Sequence, residues 1–123
     1  QAFDNLLTGL KRNGHLCILV PAFSFLYNDM DTLAGHYRRY DKRLARKLLR
    51  EDKCELVYLK YFNPIGGIGW WLNKFWNHED LNSGNINKQI KLFDKYILPL
   101  SKILNPITGS FFGQSMIMVV KKC

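Results

Sequence analysis

The chain has 123 residues, 47% of them apolar and 14% aromatic, and a net charge of +8. That length suits one domain, and a chain of this size buries about two-thirds of its unfolded surface, enough for a core. The apolar content excludes intrinsic disorder, and the longest apolar runs, such as Leu16 to Ala22, fall well short of the ~20 residues of a membrane-spanning helix.

Gln1 leads straight into a helical pattern, with no initiator Met and no secretory leader, so the start reads as a cut. Phe3, Leu6, Leu7 and Leu10 recur at helical spacing over 2–11. Lys11-Arg12-Asn13-Gly14 suits a helix end, with cations at the C-terminus and Gly14 for the left-handed position. The run from His15 to Val20 predicts a strand buried on both faces, as in a parallel sheet, ended by Pro21. Residues 21–40 form a long connection whose aromatic content predicts order. Asp41 is placed to cap a helix with Leu44, Ala45, Leu48 and Leu49 on one face and Lys42, Arg43, Arg46, Lys47 and Arg50 on the other.

Cys54 to Phe62 alternates and is rich in Val, Tyr and Phe, which predicts a second strand, broken at Asn63-Pro64. Ile65 to Trp76 reads as a glycine turn into a short aromatic helix, and 77–86 as a polar loop. Residues 87–104 read as a helix with Ile90, Phe93, Ile97 and Leu100 on one face, kinked or split at Pro99. Gly113 to Lys122 is the last strand. Strands and helices in this order indicate an α/β sheet layered with helices.

Cys17, Cys54 and Cys123 are an odd number without CxxC spacing, which predicts buried or terminal free thiols in a reducing, cytoplasmic compartment. His15, His36 and His78 are too scattered to suggest a metal site. The basic stretch from His36 to Lys53 suits nucleic acid, phosphate or an anionic membrane, or an ordinary solvated helix face.

Four passages resemble one family. Leu10-Lys-Arg-Asn-Gly14 with the run to Ala22 is similar to the passage entering the fifth strand of class I S-adenosylmethionine-dependent methyltransferases, with Arg12 for the usual proline and Asn13 for the first glycine. Gly35-His-Tyr-Arg-Arg-Tyr40 resembles the G-H-x-R-R-Y segment of a bacterial branch of type 11 or type 12. Tyr61-Phe-Asn-Pro-Ile-Gly66 and Gly113 to Lys122 resemble that branch's sixth-strand exit and seventh strand. The resemblance implies that residues 1–123 are the C-terminal half of a Rossmann-like methyltransferase domain, carrying strands 5, 7 and 6 in that spatial order with the seventh antiparallel. It implies S-adenosylmethionine in the intact parent. The glycine-rich loop and the acidic residue that bind it would belong to an N-terminal half missing here.

The implied function is the methyl-acceptor side of the active site. His36 is the candidate base; Arg38, Arg39, Tyr40, Trp70 and Trp71 are candidate acceptor contacts. Arg38 and Arg39 equally suit pairing with Asp29, Asp31 or Asp41 to pin the long loop. Phe62, Trp70, Trp71, Phe75 and Trp76 suit a hydrophobic cap over the sheet, or an acceptor-pocket wall or lipid-touching surface. Gly66-Gly-Ile-Gly69 lacks phosphate-loop spacing and reads as a flexible turn. Expected partners are a small acceptor, anionic or lipid-linked, the missing half, and a second copy paired at the edge of strand 15–20. The competing reading is a non-catalytic basic module on nucleic acid or an anionic membrane, separable by salt dependence.

Overall fold

The computed structural model describes residues 2–75 and 84–123, with the side chains of 84–86 left aside. Its elements are α1 (Ala2–Gly9), β1 (His15–Pro21), a 3₁₀ turn (Ser24–Leu26), α2 (Asp29–Leu33), α3 (Lys42–Leu48) and β2 (Cys54–Phe62). After these come α4 (Pro64–Leu72) with a 3₁₀ turn (Asn73–Phe75), α5 (Gly84–Leu92), a π-helical turn (Phe93–Ile97), α6 (Leu98–Thr108) and β3 (Ser115–Lys122). Trp76 and residues 77–83 of the loop expected at 77–86 lie outside the described residues, while 84–86 belong to α5 and not to a loop.

The three strands form one sheet in the order β1-β3-β2, with β3 antiparallel to both neighbours. β1 and β2 therefore run the same way. This is a mixed α/β architecture, and its strand order and directions agree with those expected for strands 5, 7 and 6.

The register puts Leu16, Ile18 and Val20 opposite Val120, Met118 and Met116, with Leu56, Leu59 and Tyr61 across the other ladder. These residues share one face. Leu7 of α1 and Ala45 of α3 cover it, with Phe3, Leu10 and Leu49 packed around them, and Met116, Met118 and Val120 become the centre of the core. The opposite face is covered far less. His15, Cys17 and Leu19 are exposed, so β1 is partly buried on one face and open on the other, and Cys17 is an exposed thiol. An apolar run satisfies one covered face as readily as two, and the side chains alternate between faces whatever their chemistry.

Two local expectations are corrected. The left-handed residue after α1 is Asn13 (φ 63°) and not Gly14; the carbonyls of Thr8, in α1, and of Leu10, just after it, accept bonds from Lys122 Nζ at 3.3 and 2.8 Å. Asn tolerates that conformation because its short polar side chain can bond locally.

Gly66, Gly67 and Gly69 are not a turn but lie inside α4, which starts directly at Pro64 behind the cap Asn63. A Cβ on Gly67 would sit 2.9 Å from the Phe112 ring, so this glycine provides close helix packing. The helix expected to kink or split at Pro99 is interrupted just before it by the π turn, where Leu98 N donates to Phe93 O across five residues. Pro99 has no N–H to give and crowds the carbonyl four residues back, which a π turn accommodates. The helix then continues to Thr108, past Pro106. Along the stripe expected there, Phe93 and Ile97 are half-buried while Ile90 and Leu100 are exposed; Leu48 of α3 is likewise exposed.

Candidate functional site

The connection from β1 to α3 leaves and returns at one place. Tyr40 N donates to Pro21 O at 2.8 Å and Phe23 N to Tyr40 O at 2.9 Å, closing residues 22–40 into a loop at the C-terminal end of β1. Within it, Asn28 caps α2: its side chain accepts from Met30 N, and Asp31 Oδ2 accepts from Asn28 N at 3.1 Å. This reciprocal pair fixes Asp31 at the start of the helix. Gly35, at φ 75°, turns the chain out of α2, and His36 N then donates to Asp31 O at 2.8 Å. That turn brings His36 and Arg39 back over Asp31.

Asp31 is fully buried and central. Arg39 Nε donates to both carboxylate oxygens at 3.0 Å, Trp70 Nε1 to Oδ2 at 3.1 Å, and His36 Nδ1 lies 3.0 Å from Oδ1. Arg39, 3% exposed, also donates from one terminal nitrogen to Ala22 O at 2.9 Å and Gln114 O at 3.3 Å, and its guanidinium lies 5.2 Å from the centre of the Trp70 ring. A buried ion pair persists only when its remaining donors and acceptors are satisfied, and this one is. Burial alone would raise the Asp31 carboxyl. Hydrogen bonds from Arg39, His36 and Trp70, with the Arg39 charge, outweigh it and hold the carboxyl below its ordinary value.

A carboxylate can only accept, so His36 donates from Nδ1, and in the neutral form of the ring the lone pair lies on Nε2. The side chain is 41% exposed, and no described residue bonds Nε2. Tyr27 OH fixes the backbone beside it, donating to His36 O at 2.8 Å. The result is an imidazole oriented by a buried carboxylate with its basic nitrogen free, the arrangement of a general base.

The other candidate residues separate. Arg39 is held internally by Asp31, as the loop-pinning alternative had it. Trp70 joins the cluster through its indole N–H and ring face, while Asn28 Nδ2 donates to its carbonyl at 3.0 Å. Arg38 is exposed and lies 5.9 Å over the half-buried Tyr40 ring. Trp71 takes no part; it packs edge-on against Phe75 with ring centres 5.4 Å apart. Asp31 was only one of three possible arginine partners in the sequence. The signal that locates it is Asn28-x-x-Asp31, a capping-box spacing followed by a left-handed glycine.

The start of α4 follows a strand and is glycine-rich, but it does not fit a cofactor phosphate. Gly66 N donates to Asn63 Oδ1 at 3.1 Å, Gly67 N to Asn63 O at 3.0 Å and Ile65 N to Ser101 Oγ at 3.3 Å, so its donors are taken. Among the described residues, no group of His, Cys, Asp and Glu is arranged to hold a metal ion. A surface depression lined by Arg12, Glu55, Lys121 and Lys122 lies at the opposite end of the sheet from His36. No protein-family model, curated protein or solved structure matches the chain.

Proposed function

We propose that this chain forms the methyl-acceptor side of a class I S-adenosylmethionine-dependent methyltransferase, with the cofactor bound by a separate N-terminal half. The observation that carries the reading is the 3.0 Å contact between His36 Nδ1 and the buried Asp31 carboxylate, which leaves Nε2 free at the C-terminal end of β1. Ligands of open α/β sheets bind beyond the carboxyl ends of the parallel strands. The strand order, with β3 central and reversed, supports the same reading.

The cofactor would supply an electrophilic methyl group. This chain's own residues act on the acceptor. His36 Nε2 takes the proton of an acceptor hydroxyl or amine, and Asp31 stabilises the imidazolium that results. Arg39 and Trp70 hold Asp31 in place, and Arg38 and Tyr40 line the approach from the exposed side of the loop.

Calorimetry with S-adenosylmethionine tests the division of labour. The chain alone should give no micromolar binding, while the protein extended by its upstream sequence should bind. Tight binding by the chain alone, or none by the extended protein, overturns the reading.

A further inference from the structure

We infer that the exposed face of α4, with the turn that follows it, docks on an anionic lipid bilayer. From Pro64 to Leu72 the helix has no charged residue. A helix that is apolar all round belongs in a core or in a membrane. Yet only Pro64, Gly66 and Gly67 of α4 are buried. Ile68, Trp71, Leu72 and Phe75, spaced i, i+3, i+4 and i+7, stay 43% to 70% exposed and form one stripe. Phe25, 55% exposed, adjoins it, because Lys74 Nζ reaches Phe25 O at 3.5 Å. Single exposed apolar residues are ordinary on a protein surface; a continuous stripe marks an interaction site.

Charge identifies the occupant. Lys74 sits within the stripe, and the sequence from residue 64 to 108 carries five lysines (Lys74, Lys88, Lys91, Lys95 and Lys102) against three acids (Glu79, Asp80 and Asp94), in a chain of net charge +8. A two-fold contact with a second copy would set this patch against itself, lysine against lysine. A bilayer with anionic headgroups supplies the opposite charge, takes Ile68, Leu72 and Phe75 below the headgroups, and suits Trp71 at the boundary. Trp70, on the same helix, bonds the loop that carries His36, so the docked face borders the candidate site. The docking stands whether or not His36 carries methyl-transfer chemistry.

Vesicle co-sedimentation of the full chain is the test, with phosphatidylcholine vesicles and with vesicles containing phosphatidylserine. The chain should bind the anionic vesicles and not the neutral ones. Lys74→Ala should weaken binding about fivefold, the effect of one lysine near an anionic surface. Phe75→Ser should weaken it about tenfold or more through lost apolar insertion, while His36→Ala leaves vesicle binding as it is in the parent. Tryptophan quenching by brominated anionic lipids, measured on the unmodified chain, should be strong and needs no variant to fold. Absence of quenching, or Phe75→Ser binding as the parent does, overturns the proposal, because it assigns any vesicle binding to the basic α3 face. So does a chain that leaves the vesicles alone and self-associates through this stripe.

Discussion

Replacing Arg39 by Leu removes the charge partner of a carboxylate with no exposed surface. Three donors to Asp31 remain: Asn28 N, Trp70 Nε1 and His36 Nδ1. They cannot offset a full buried charge, and breaking one side of a buried pair costs about 3–5 kcal/mol. The bonds from Arg39 to Ala22 O and Gln114 O, which tie the end of β1 to the entry of β3, are lost as well. A domain of this kind holds about 5–15 kcal/mol in all, so urea unfolding should show the midpoint falling by about 1 M or more.

The pH dependence separates this mechanism from a simple packing defect. Asp31 is held below its ordinary value of 3.8, so its contribution is complete above that value and is lost as falling pH protonates it. The gap between parent and Arg39→Leu should therefore be widest near neutral pH and narrow as the pH falls below about 4. The double variant Asp31→Leu/Arg39→Leu should recover much of the loss, since no unpaired charge remains. A deficit below about 1 kcal/mol at neutral pH, the size of an exposed ion pair, or one indifferent to pH, would refute the account of the cluster.

Two further outcomes follow from the fold. Among the described residues β1 pairs with β3 alone apart from the Tyr40 bond at Pro21, and its outer edge carries the backbone of His15 to Val20 with no Lys or Pro within that run, so light scattering at low micromolar concentration should show self-association. A clean 14.4 kDa species with freely exchanging amides at 15–20 would show that the edge is tolerated. Gly113→Ala should lower the melting temperature sharply, because its Cβ would meet the Phe62 backbone, including the carbonyl carbon at 2.8 Å; a near-parental melting curve would show that the β2–β3 crossing is looser than described.

The strands and the α3 cap were legible because each rests on a local signal. His15 to Val20, Cys54 to Phe62 and Ser115 to Lys122 are apolar or alternating runs, and Asp41 accepts from Leu44 N at 2.7 Å as a capping side chain should. The spatial order came from resemblance and not from periodicity, which says nothing about which strand lies in the middle. Gly66 to Gly69 misled because glycine is a poor helix former; contact with Phe112, Asn63 and Gln114 overrides the propensity, and those contacts are 3 to 48 residues away in sequence. The site was half legible. His36 and Arg39 stood out as residue types, but pairing Arg39 to Asp31 and not to Asp29 or Asp41 depends on the left-handed Gly35, and Trp70 reaches the cluster from across the sheet.

The most direct test of the central claim is methyl transfer by the protein extended by its upstream sequence, comparing His36→Ala with the parent at equal folded concentration. A positioned base contributes about 10²–10⁴-fold, so His36→Ala should lose turnover on that scale while S-adenosylmethionine binding and the melting temperature stay close to the parent's. Turnover equal to the parent's, or lost only in step with folded protein, would contradict the assignment of His36 as the base and leave the Asp31 cluster as a device for holding the loop.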